Sequence, residues 1–144
     1  MNKRTMCVLA LFFSIIFYAQ NKNIIGKWNT IHEETGKIIS VVEIYEMNNK
    51  IYGKVCEISN PKSRNLLCKN CPGEDKDKPI LGMTVIKGLQ KNENEYSDGE
   101  ILDPNSGNLY QCYITLIHPD KLKVRGYIGI SLFGRTQYWE RVNK

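Results

Sequence analysis

The sequence predicts an all-β protein, an eight-stranded up-and-down antiparallel barrel, with a two-sheet β-sandwich as runner-up. Three observations predict it: apolar and polar residues alternate with period two over several short stretches, turn-forming residues separate those stretches, and no amphipathic helix of useful length competes. Sequential strands joined by short turns would leave two open edges in a flat sheet, and closure into a barrel removes them.

The first strand is expected near residues 26–32, ending at the turn Glu33-Glu34-Thr35-Gly36-Lys37. The next two, 38–47 and 50–58, are rich in Val, Ile and Tyr. Only Asn48-Asn49 separates them, a pair able to adopt the left-handed conformations of a tight hairpin. Their alternation leaves open which face is inward. A long connection runs from Ser59 to about Ile80. Strands near 81–89 and 95–102 then flank the turn Lys91-Asn92-Glu93-Asn94.

After Asp103-Pro104-Asn105-Ser106-Gly107, the sixth strand (109–117) sets Tyr110, Cys112, Ile114 and Leu116 against Gln111, Tyr113 and Thr115. The seventh (121–129) follows His118-Pro119-Asp120 and sets Leu122, Val124 and Ile128 against Lys121, Lys123 and Arg125. The eighth is expected over 135–142. The connection Ile128–Gly134 is apolar where turns are normally polar. Either the flanking strands run on and bury it, or it forms an exposed lip with Leu132 and Phe133 guarding the barrel mouth.

Met6 to Tyr18 is an unbroken run of thirteen apolar or small residues behind Lys3 and Arg4, the pattern of a signal peptide over residues 1–20 with cleavage near Ala19 or Gln20. The run is shorter than the ~20 residues of a spanning helix, and no second long run follows. Residues 21–144 are therefore expected as one exported domain, periplasmic or extracellular, with no transmembrane segment. Cys7 stands at the start of the run, the wrong end for a lipid-modified cysteine. Loss of Lys3 and Arg4 lowers the net charge from +5 to +3. The remaining lysines are scattered among acids, with no basic block to track phosphates, so nucleic acid is not an expected partner.

Four cysteines remain after export: Cys56, Cys68, Cys71 and Cys112. In LLCKNCPGEDKDKP the Cys68-x-x-Cys71 spacing could hold zinc, exchange disulfides or pin a loop. A structural zinc site wants four ligands, and a second close pair is missing. A redox pair is usually activated at a helix start in a βαβ setting, whereas Cys71 precedes Pro72-Gly73 in an all-β chain. A local Cys68–Cys71 disulfide is expected, with crossing to Cys56 or Cys112 left open among the three pairings. Cys112 reads as a buried thiol that packs like a small hydrophobe.

No catalytic motif or cofactor fingerprint is present, and His32 and His118 read as surface and turn residues. Asp98, Glu100 and Asp103 cluster in sequence. Alternation puts Asp98 and Glu100 on one polar, exposed face, which is no cleft for paired carboxylates.

Gly26-Lys27-Trp28 resembles the Gly-x-Trp signature that opens the first strand of lipocalins and related calycin barrels. That resemblance implies that Trp28 closes one end of the barrel under a basic side chain from the last strand. Antiparallel closure would make Arg141 that partner, and would leave Arg135, ~20 Å away, near the other rim. A guanidinium on an indole contributes ~0.5–2 kcal/mol.

A wider resemblance covers nearly the whole of residues 21–144. It runs through Tyr52-Gly53-Lys54, Cys68-x-x-Cys71-Pro72-Gly73, Lys78-Pro79-Ile80-x-Gly82-Met83, Gly99-x-Ile101-x-Asp103-Pro104-x-x-Gly107, the segment Leu122 to Gly129, and Gly134-Arg135-Thr136-Gln137-x-Trp139. These blocks, in this order, are similar to domain-of-unknown-function family 2147, a family of exported bacterial proteins. The resemblance implies export and a lipocalin-like barrel, with no catalytic residue or substrate. Cys56 lies outside its pattern.

Two functional classes follow. One is a non-catalytic barrel binding a small, partly apolar ligand, with Tyr110, Leu122 and Val124 as lining, Arg125 and Arg135 as rim charges, and Leu132 and Phe133 at the mouth. The other is a structural or interaction protein of the cell envelope whose barrel is filled. An enzyme ranks third.

Overall fold

A computed structural model describes residues 23–143. The expected signal peptide, residues 1–20, lies outside the described residues. Eight strands form one closed antiparallel barrel in sequence order: β1 (Gly26–Ile31), β2 (Ile38–Met47), β3 (Lys50–Ile58), β4 (Thr84–Asn92), β5 (Glu95–Leu102), β6 (Leu109–His118), β7 (Lys121–Tyr127) and β8 (Gly134–Arg141). The seam pairs Trp28 with Arg141 and Asn29 with Glu140, which excludes an open sandwich.

Local chemistry sets the turns. Asn48 and Asn49 take φ of 53° and 61°, the doubly left-handed pair of a tight hairpin between β2 and β3. Along β7, Leu122 and Val124 are buried while Lys121 is exposed, as the period-two pattern requires. In β2 and β3, where alternation was ambiguous, Val42 and Ile44 are buried on one strand and Ile51 and Val55 on the other.

Three expectations need correction. The fourth strand begins at Thr84 and runs through Asn92, three residues later than 81–89. Gly82 has φ of 89°, which breaks the extended backbone, and its N–H instead bonds to the Val55 carbonyl at 2.7 Å. The long connection accordingly extends from Ser59 to Met83. The seventh strand ends at Tyr127, so Ile128 leaves the inward face and is 67% exposed. At β5, Asp98 is left-handed (φ 62°) beside a register shift between Tyr96 and Gly99. This bulge breaks simple alternation, although Asp98 and Glu100 both face solvent.

The two ends of the barrel differ. At one end Ile24, Trp28, Ile44, Leu89, Ile114 and Leu122 pack with almost no exposure and fill the interior. Trp28 is a plug there: its indole N–H donates to the Ile24 carbonyl at 2.8 Å, and Arg141 covers its ring at 4.2 Å. At the other end four connections gather, residues 32–37, 59–83, 103–108 and 128–133, and the interior is open.

Candidate functional site

The open half encloses a cavity of about 480 Å³. Apolar walls come from inward positions on successive strands: Val42, Val55, Val85, Ile101, Val124 and Trp139. Gly126 makes room between them. A methyl group there would sit 3.3 Å from Ile101 and 3.4 Å from Tyr110, so a larger side chain would compete with both for the same volume. Cavities of this size are typical for small-molecule sites. It has room for about sixteen groups of water or methylene size.

Polar groups concentrate on β8, β1 and β2. The Thr30 and Ser40 hydroxyls lie 2.7 Å apart and bond each other across β1 and β2. Gln137 accepts the Trp139 indole N–H at 3.2 Å through its Oε1. At the rim Arg135 donates through Nε to Glu33 at 2.9 Å, bridging β8 to the β1–β2 turn. That hydrogen bond holds the Glu33 carboxyl below its ordinary range and raises the already high Arg135. Beside this pair a smaller hollow of about 160 Å³ is lined by His32, Glu33, Glu34 and Ile39 together with Arg135 and Gln137. Asp103 also reaches the mouth, but its carboxylate accepts from the Asn105 N–H at 3.0 Å and the Ser106 hydroxyl at 2.9 Å in its own turn.

The long connection flanks the mouth. Cys68 and Cys71 are disulfide-bonded and buried, so neither crosses to Cys56 or Cys112, which are free thiols. The staple sits within a short ladder: Leu67 bridges Pro79, the Cys68 N–H donates to Lys78 and the Ile80 N–H to Leu66. Asp75 pairs with Lys87 of β4, tying the far side of the loop to the barrel. From this segment Ser63, Leu66 and Ile80 face the cavity.

Among the sequence candidates, Tyr110, Val124, Phe133 and Arg135 line the cavity. Leu122 does not. It is fully buried opposite Trp139, one layer nearer the Trp28 plug, and belongs to the filled half. Arg125 does not either: it faces outward and donates to the Ser131 carbonyl at 2.7 Å, the Leu132 carbonyl at 3.3 Å and the Thr136 hydroxyl at 2.7 Å. It braces the β7–β8 connection. That connection is the exposed alternative of the two considered. Ile130 is 57% and Leu132 75% exposed, and the Ile128 N–H bonds to the Phe133 carbonyl at 3.1 Å. Leu132 stands on the lip without entering the cavity, whereas Phe133 does both.

Sequence reasoning did not single out Trp139 and Gln137 as walls of the site. The signal was available: residues 135, 137 and 139 share one face of a strand, and a buried Trp139 would have placed Gln137 inside with it. The two histidines lie apart, His32 at the open end and His118 at the plugged end. Among the described residues no three His, Cys, Asp or Glu side chains converge as a metal site.

A family model described as "Uncharacterized protein conserved in bacteria (DUF2147)" matches residues 26–141. No curated protein matches. Among solved structures, the chain resembles protein HP1028 of Helicobacter pylori, described as belonging to the lipocalin family, with a TM-score of 0.73 at 20% identity over 85% of this chain and 84% of that one. At that identity the likeness establishes the eight-stranded barrel.

Proposed function

We propose, for a chain that belongs to the bacterial family DUF2147, that the barrel is an exported, non-catalytic container for one small, largely apolar molecule. The observation that carries this reading is the cavity of about 480 Å³, walled by valines, Ile101 and Trp139 at the end of the barrel away from the Trp28 plug. Export rests on the pattern of residues 1–20, and the Cys68–Cys71 disulfide fits an oxidising compartment. The non-catalytic part rests on the wide separation of the histidines and on Asp103 being satisfied within its own turn.

The reading is tested by titrating an environment-sensitive apolar fluorophore into the protein and into Val124→Trp, which pushes an indole into the cavity. Saturable one-to-one binding, reduced tenfold or more in the variant at unchanged circular dichroism, is the expected result. Equal binding by both proteins would place the fluorophore on the surface and end the reading.

The alternative, an envelope interaction protein, draws on the exposed lip of Ile128, Ile130, Leu132 and Phe133. The same lip can serve a container as its doorway, and the cavity supports the container reading.

A further inference from the structure

We infer that Gln137 sets ligand specificity, and that the molecule held in the barrel carries a hydrogen-bond-accepting oxygen, a carboxylate or an ester carbonyl, at the mouth end of an apolar chain. The inference rests on the container reading and deepens it.

Trp139 sets the orientation of its neighbour, because an indole N–H can donate and never accept. Its partner at 3.2 Å is the Gln137 side chain, so the Gln137 atom facing it must be the carbonyl oxygen. This fixes the amide orientation by chemistry, where a free glutamine could turn either way. The amide nitrogen then points away from Trp139 with two N–H donors. It makes no hydrogen bond to protein among the described residues, and Gln137 is a wall of the cavity.

Two residues nearer the mouth on the same strand face, Arg135 uses Nε on Glu33 and leaves its two Nη groups without a protein partner among the described residues. A guanidinium offers only donors, as does the amide nitrogen of Gln137. The unpartnered nitrogens on this face of β8 are thus all donors. The Thr30 and Ser40 hydroxyls lie on β1 and β2, not on this face of β8, and are bonded to each other. An apolar molecule ending in an ammonium would leave these donors unmatched, whereas one ending in an acceptor oxygen would satisfy them.

The test compares three probes of one chain length: dodecanoate, methyl dodecanoate and dodecylammonium, by calorimetry at neutral pH. The wild-type protein is expected to bind the acid and the ester about tenfold tighter than the ammonium. Gln137→Leu should shrink that advantage severalfold. Gln137→Glu keeps an acceptor for the Trp139 indole but removes the amide donors, and it should reverse the preference toward dodecylammonium. Arg135→Gln separates the two oxygen sources: greater weakening of the acid than of the ester marks the mouth as a carboxylate site, and equal weakening marks it as a site for a carbonyl. Equal binding of all three probes by wild type, or an unaltered preference in Gln137→Glu, would overturn the inference and leave the container standing. Binding of none of them would overturn both.

Discussion

The Arg141 guanidinium carbon lies 4.2 Å above the centre of the Trp28 ring, directly across the seam that closes the barrel. Its three nitrogens donate to the carbonyls of Pro119 (2.7 Å), Ile25 (3.0 Å) and Asn23 (2.8 Å), so a single side chain ties the start of β1 to the β6–β7 turn. Arg141→Ala should lower the unfolding free energy by about 2–4 kcal/mol, combining the lost cation–π contact with charge-assisted hydrogen bonds. Arg141→Lys should recover less than half, since a point-like ammonium cannot reach three diverging carbonyls and stack as well. Urea melts followed by tryptophan fluorescence measure both. The exposed Asp120, 3.7 Å from Arg141, should contribute nothing measurable on removal.

The stapled connection docks on Gly107, whose φ of 78° favours glycine and whose missing side chain would otherwise collide with the Asn70 backbone. Gly107→Ala should cost about 1–3 kcal/mol from the backbone conformation alone. It should also raise amide exchange over residues 66–80 by displacing the loop. Exchange equal to wild type would mean that the loop is held elsewhere, at Asp75 and Lys87.

The apolar lip is exposed, so Leu132→Ser with Phe133→Ser should leave stability within about 0.5 kcal/mol of wild type. Binding of the apolar fluorophore should weaken severalfold, because Phe133 also lines the cavity. Unchanged affinity in a folded double variant would remove the lip from the site.

Burial pushes the Cys112 thiol up to about 12 from an ordinary 9.0. The folded state therefore holds its proton where the unfolded chain has lost it. Its contribution to stability should be complete below about pH 9 and should fall as pH rises from there through 12. Cys112→Ala should flatten that alkaline loss. Alkylation at pH 8 should modify Cys56, slowly because desolvation raises its pKa as well, and should spare Cys112 until the protein unfolds.

Much of the fold was legible because the barrel obeys local rules. Leu122 and Val124 alternate with lysines, Asn48-Asn49 can only turn, and a closed sheet must bring Trp28 to Arg141. Legibility failed where backbone conformation overrides composition. Ile80 to Met83 look like strand, yet Gly82 is left-handed and the segment bonds as loop. Ile128 to Phe133 could be read as buried strand or exposed lip, and Gly129 (φ 74°) is where the chain leaves the strand for the lip. The site was half legible. Tyr110, Val124, Phe133 and Arg135 follow from alternation and strand ends. Arg125 already stands opposite Val124 in the alternation of its strand, but only three dimensions show it spent on the lip's carbonyls while Arg135 reaches the mouth. Gln137 needed its hydrogen bond to Trp139 before its chemistry could be read.

The container claim is tested most directly by native mass spectrometry of the protein purified from its own host without detergent. A one-to-one adduct of a few hundred daltons, released at moderate collision energy and absent from Val124→Trp, is the expected result. A bare polypeptide mass for both proteins under the gentlest conditions, with no binding regained on adding lipid extract from the host, would contradict it.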